Sequence, residues 1–307
     1  MKILITGASG QLGNELKLCL DGRMHSDLGR IPEIYRNAEC DFVDHDELDI
    51  SDQKAVKNWF SGRNYDVVIN CAAYTNVDGC EKNEATALKV NAIGPMNLAV
   101  ASQAQKAKFV QVSTDYVFPG NEQRARVESD PVCPISAYGR SKHAGELLAL
   151  NECSRTFVIR TAWLYGLQGK NFVKTMRRFA RENGKLSVVD DQYGNPTNAA
   201  DLAHVILLIA TTENYGIYHC TNEGIASWFE FAKEIVELSE IPCVCEPISS
   251  EEYNRRFPNS ADRPHWSALE NKHLKETLVN CMRPWKEALM DHLVKLKELE
   301  KQENSAL

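Results

Sequence analysis

The chain has 307 residues, 43% of them hydrophobic and 25% charged. That suits one large α/β domain, or a domain with a smaller companion, and excludes global disorder. The formal net charge of −7, with no Lys/Arg-rich run to offset it, argues against nucleic acid as a partner.

The N-terminus, "MKILITGASG", enters a strand at once ("KILIT", 2–6) and lacks a signal peptide's longer apolar region and cleavage site. Directly after this strand, "ITGASGQLGNEL" (5–16) places Gly7, Gly10 and Gly13 in the pattern G-x-x-G-x-x-G. Such a turn lets a backbone approach a pyrophosphate closely and packs a helix tightly on the strand. The phosphate then meets free N–H groups at the helix N-terminus. Glycines also permit a plain strand-to-helix turn, but the position after an N-terminal strand favours the nucleotide.

Residues 21–38 read as an insertion before the second strand, "CDFV" (40–43). That strand should end in a group for the adenosine ribose, and Asp44 is the candidate, with His45 beside it. A carboxylate there favours NAD(H), whereas a cation near a 2′-phosphate favours NADP(H), so cofactor choice stays open. Asp49 and Ile50 follow under the adenine, unless Asp49 only caps the next helix. That helix is read as starting after Ser51 in "SDQKAVKNWF". The third strand, "DVVIN" (66–70), runs into the small residues Ala72 and Ala73. These suit a strand end against which a dinucleotide lies, and equally suit packing.

A helix covers roughly 82–106, followed by "KFVQVS" (108–113), a helix after Ser136, and "TFVIR" (156–160). The β-α-β alternation of short apolar runs, suited to strands buried on both faces, predicts a doubly wound parallel sheet. In "SAYGRSK" (136–142), Tyr138 and Lys142 rise from one helix face, a turn apart. On spacing alone they are either a surface pair or a proton donor with the cation that tunes it.

Beyond Arg160 the alternation loosens. Helices are expected over 171–183, 199–212, 227–238 and 284–302, with "GIYHCTN" (216–222) returning to the main sheet. Residues 1–165 thus form a first domain to which 196–222 return. Residues 166–195 and 223–299 form a smaller C-terminal α/β lobe, and 300–307 a frayed tail. The most apolar stretch, "LAHVILLIATT" (202–212), is too short to span a bilayer. The ten cysteines contain no C-x-x-C pair and read as reduced thiols of a cytoplasmic protein.

Taken together, "TGASGQLG" (6–13), "NCAAYTNVD" (70–78), "STDYVFPG" (113–120), "YGRSK" (138–142), "RTAWLYG" (160–166), "KNFVKTM" (170–176), "DDQYGNPT" (190–197) and "RPHWSAL" (263–269) resemble the extended short-chain dehydrogenase/reductases over nearly the whole chain. The likeness is nearest to their dTDP-4-dehydrorhamnose reductase branch. It implies a Rossmann-type domain with a substrate lobe, and NADPH- or NADH-dependent reduction of a dTDP-linked 4-keto sugar. Tyr138 would be the proton donor, Lys142 its partner and Thr114 the hydroxyl on the carbonyl. Gly10, Gln11, Leu12, Ala73, Tyr74, Thr75, Tyr138 and Lys142 fall at cofactor positions. Asp115 and Trp163 fall at substrate positions, although Asp115 as a loop anchor is an equal reading. Arg263 would hold the nucleotide-sugar pyrophosphate, the alternative being a structural ion pair. Some relatives carry Mg²⁺ at a dimer contact, but no ligand cluster in this sequence places one; a homodimer is the default expectation. The resemblance also includes reductases or epimerases of other nucleotide sugars. It extends to a non-catalytic NADP-binding regulatory subunit of methionine adenosyltransferase.

At an effective dielectric of ~20, a lysine about 5 Å from Tyr138 favours the phenolate by roughly 3 kcal/mol, so the tyrosine is expected to be lowered by about two pKa units, with burial opposing. Thr114-Asp115-Tyr116 lacks the glutamate that related dehydratases show after Thr-Asp, which favours simple reduction over dehydration.

Overall fold

The computed structural model describes residues 1–23, 26–278 and 282–305. Six strands form one parallel sheet: β1 (Lys2–Thr6), β2 (Glu39–Val43), β3 (Val67–Asn70), β4 (Lys108–Thr114), β5 (Thr156–Thr161) and an edge strand at Gly216–His219. The spatial order runs from that edge strand through β5, β4, β3 and β1 to β2. The chain therefore leaves β1 toward one edge and returns to β3 on the other side. In an open parallel sheet, the crevice at the carboxyl ends of such a pair is where ligands bind.

Alternation along each strand feeds two cores. Ile3 and Ile5 pack with α1 (Gln11–Leu20) on one face, whereas Leu4, Val68 and Phe109 pack with α2 (Gln53–Phe60) and α3 (Gly94–Gln105) on the other. At the carboxyl ends a polar row replaces the apolar one. Thr6 donates to Asn70 at 2.6 Å and Asn70 to Gln111 at 2.7 Å, all three buried. This row locks the mouths of β1, β3 and β4 in register.

The helix expected over 82–106 is broken into Glu84–Leu88, a π-helical turn at Lys89–Ile93, and α3. After β4 comes α4 (Ala137–Glu152), capped by Ser136, whose hydroxyl accepts from Gly139 N–H. The smaller lobe holds α5 (Phe172–Asn183), β6 (Lys185–Val189), α7 (Trp228–Leu238), a strand at Val244–Ile248 parallel to β6, and α8 (Trp285–Ser305), while the intervening α6 (Ala199–Thr211) packs back on α1 and the main sheet. The lobe's own core joins Tyr165, Val173, Phe231, Trp285 and Leu289.

Two local expectations are corrected. Asp52, not Ser51, caps α2: its carboxylate accepts from Lys54 and Ala55 N–H, while Ser51 turns back to Asp49. The C-terminal helix continues to Ser305, so the tail expected from 300 is helical that far. Within 21–38, Tyr35 is 1% exposed and donates to the Leu207 carbonyl, which pins the insertion on α6. Cys19, Cys40, Cys71, Cys80, Cys133, Cys153, Cys243 and Cys245 are free thiols, and Cys281 lies outside the described residues.

Candidate active site

A cleft of about 750 Å³ lies along the carboxyl ends of β1, β3 and β4. One end is the glycine turn. Gly7 has φ +67°, and a Cβ there would sit 2.7 Å from Ala72 N, so neither the turn nor the approach of β1 to β3 tolerates a side chain. A Cβ on Gly13 would overlap the Gly7 carbonyl and the Ala8 backbone, which holds α1 tight against the turn. At Gly10, the N-cap of α1, the only close neighbour is the Gly7 oxygen at 3.1 Å, and no side chain caps the helix. Its first-turn N–H groups are therefore available to an anion. Gln11 and Leu12 line the same end.

Asp44 follows β2 directly, and both its oxygens accept from Ser9 N–H at 3.1 Å. This ties the predicted ribose residue to the glycine turn. Asp49 accepts from both the backbone N–H and the hydroxyl of Ser51, bonds that hold its carboxyl below the ordinary value. Ile50 is buried and would meet any Cβ placed on Gly94 at 2.7 Å. All three line the cleft, as do Ala73, Tyr74 and Thr75.

The other end holds Thr114, Tyr138 and Lys142 together. Helix α4 reaches it because Gly139 lies so close to the Tyr116 carbonyl that a Cβ would overlap it. Tyr138 then meets Tyr116 edge-on, with ring centroids 5.8 Å apart. Thr114 donates to Asp115 at 2.9 Å and accepts from Tyr116 N–H at 3.2 Å. Lys142, 4% exposed, donates to the Val112 carbonyl of β4 at 2.6 Å. Arg140, between the two, turns outward to Glu84 at 3.0 Å.

The electrostatics differ from the expectation for Tyr138. Burial pushes its phenol up rather than down; a Thr114 hydrogen bond opposes this, and the neighbouring Asp115 carboxyl and Cys80 thiol add to it. Desolvation outweighs any benefit of a neighbouring cation here. Lys142 is itself pulled down to about 8 by burial, against support from Glu146. Glu146, one turn further along α4, is clamped by Arg160 of β5 at 2.9 and 2.7 Å. Asp115 is raised to about 6, chiefly by burial, with bonds to Ser267 and Thr114 opposing. Its second oxygen has no hydrogen-bond partner.

Trp163 lines the cleft with a left-handed backbone, φ +47°, and stacks on Trp228 at 3.5 Å. Arg263 lies outside the cleft lining: its guanidinium donates to Asp78 at 3.1 Å and to the Ala261 carbonyl. The ion pair weighed as its alternative role is thus present. Among the described residues, no group of three or more His, Cys, Asp or Glu could hold a metal ion, so the Mg²⁺ implied by resemblance finds no donor set.

Several site residues escaped sequence reasoning. Asn91, in the π-helical turn, accepts from Tyr74 N–H and donates to the Tyr74 carbonyl and to Ser141. It fastens the end of the β3 segment to α4, and only its place in an irregular turn signals it. Gly169 and Lys170 enter the cleft from the loop before α5. Among the described residues, Lys170 and Lys142 are the only lysines or arginines in the lining.

A family model described as "RmlD substrate binding domain" matches residues 1–298. The chain belongs to this family. A dTDP-4-dehydrorhamnose reductase of Mycobacterium tuberculosis is 39% identical over 297 residues, covering 94% of this chain and 91% of that one. The crystal structure of a dTDP-4-dehydrorhamnose reductase from Clostridium acetobutylicum superposes with a TM-score of 0.90 at 44% identity, covering 97% and 100% of the two chains. That of the Bacillus anthracis dTDP-4-dehydrorhamnose reductase in complex with NADP gives 0.87 at 38%, covering 96% and 99%. With the RmlD family, this chain has a parallel α/β sheet and a smaller lobe. Among the described residues no helix is long and apolar enough to cross a membrane.

Proposed function

We propose that the protein reduces the 4-keto group of dTDP-4-dehydro-β-L-rhamnose to dTDP-L-rhamnose with NADPH or NADH, in the cytoplasm. The observation that carries this is one cleft with an uncapped glycine-bounded helix at one end and Thr114, Tyr138 and Lys142 at the other. The dinucleotide fits the residues present, since the turn holds the uncapped N-terminus of α1 at the cleft through backbone approaches at Gly7 and Gly13 that leave no room for a Cβ. Its pyrophosphate would lie at Gly10, Gln11 and Leu12, its adenosine near Asp44, Asp49 and Ile50, and the rest along Ala73, Tyr74 and Thr75.

When bound, the reduced nicotinamide supplies a hydride to C4 of the sugar. The Tyr138 phenol gives its proton to the developing alkoxide at O4, and its raised pKa keeps it protonated and ready to donate at neutral pH. The Lys142 ammonium, fixed by the Val112 carbonyl, stabilises the tyrosinate left behind until solvent reprotonates it. Thr114 turns its hydroxyl to the substrate oxygen, an oxyanion-type contribution of about 2–4 kcal/mol. Trp163 and Asp115 bound the sugar.

The test is oxidation of NADPH and of NADH by the purified protein with the dTDP-keto-sugar, with C4 stereochemistry of the product read by NMR. Cofactor binding without turnover would overturn the reading.

A further inference from the structure

A second cavity, of about 280 Å³, lies between α5 and the C-terminal part of α8 and shares no lining residue with the cleft. Lys174, Arg177, Arg178 and Arg181 line it, facing Glu300. Their spacing along α5 puts all four on one helix face. A solvated basic face would show the same spacing, but Arg177 is not solvated. It is 2% exposed, its fork is bidentate to Glu300 at 2.6 and 3.0 Å, and its Nε–H has no partner. Arg181 shares the same carboxylate at 3.8 Å, and Lys174 donates to the Leu167 carbonyl. Among the described residues that line it, four cations against one carboxylate leave three positive charges, within a chain of net charge −7.

We propose that this cavity binds a small, multiply charged phosphate anion of the inorganic pyrophosphate type. Arg178, Arg181 and Lys174 would hold its oxygens, with the buried Arg177 staying paired to Glu300 behind them. Guanidinium forks match phosphate oxygens in bidentate fashion. A singly charged carboxylate would merely replace Glu300, whereas a polyanion neutralises the remaining charge. The volume is at the small end for organic ligands, which fits a compact anion rather than a whole nucleotide.

The test is calorimetric titration of inorganic pyrophosphate, at constant ionic strength, into the wild-type chain, Arg178→Gln/Arg181→Gln and Glu300→Gln. Both arginines are exposed, so the double variant should keep its melting temperature, and neither lies in the dinucleotide cleft. Saturable binding is expected in the wild type, weakened by roughly tenfold or more in the arginine variant and tightened in Glu300→Gln. Pyrophosphate held only in the cleft would bind the arginine variant and the wild type equally. That result, or no saturable binding at millimolar pyrophosphate, overturns the proposal.

Discussion

Lys142 donates to the Val112 carbonyl at 2.6 Å, so a cation on α4 is anchored to the carboxyl end of β4, one residue short of Ser113-Thr114. This places the ammonium at the floor of the cleft rather than along the surface of its own helix. Lys142 is lowered from 10.5 to about 8, so kcat/KM for the dinucleotide should fall as pH rises through about 8, and a Lys142→Met variant should lack that limb. For stability the sign is the opposite. Between about 8 and 10.5 the unfolded chain holds more protons at this group than the native one, so its contribution to stability rises with pH. The burial penalty is fully present below pH 8. Lys142→Met should therefore raise Tm at pH 7, by up to about 3 kcal/mol in stability, while leaving a much reduced turnover on which the pH profile is read.

Tyr138→Phe removes the proton donor and little else, because the ring's edge contact with Tyr116 is kept. Reduction should drop by roughly 10²–10⁴-fold, with dinucleotide affinity changed by less than about tenfold. Stopped-flow hydride transfer together with a fluorescence titration checks both.

Asp115 is raised from 3.8 to about 6 by burial. Between those values the native state holds more protons than the unfolded one, so stability from this group falls as pH rises, and the penalty is complete above 6. Asp115→Asn should stabilise the protein at pH 7.5, by at most about 3 kcal/mol, and the gain should shrink toward zero near pH 4. A melting series across that range decides it; a constant difference would refute burial as the cause.

The glycines of the turn should separate. Gly13→Ala forces a methyl into the Gly7 carbonyl and the Ala8 backbone, so melting temperature and dinucleotide affinity should fall together. Gly10→Ala meets only the Gly7 oxygen at 3.1 Å and has an ordinary φ of −69°. Its fold should survive with Tm nearly unchanged, while dinucleotide Kd rises by about tenfold because the methyl stands where the pyrophosphate approaches.

Much of this molecule was legible in the chain by itself. The apolar runs at 2–6, 108–113 and 156–160 determined buried parallel strands, because a strand covered on both faces is apolar at most positions. Gly7 and Gly13 determined a tight turn, because the backbone around each leaves no room for a Cβ. Tertiary structure decided what depends on groups distant in sequence. Spacing put Tyr138 beside Lys142, but only the fold of β4 against α4 brought Thr114 and the Val112 carbonyl to them. The direction of Tyr138's pKa could not be read from spacing either, since it follows from desolvation by residues far along the chain. Arg263 and Asp78 stand 185 positions apart, and nothing short of their packing could pair them. Local pattern fixes which surfaces must be buried; which charges then face one another is set when those surfaces meet.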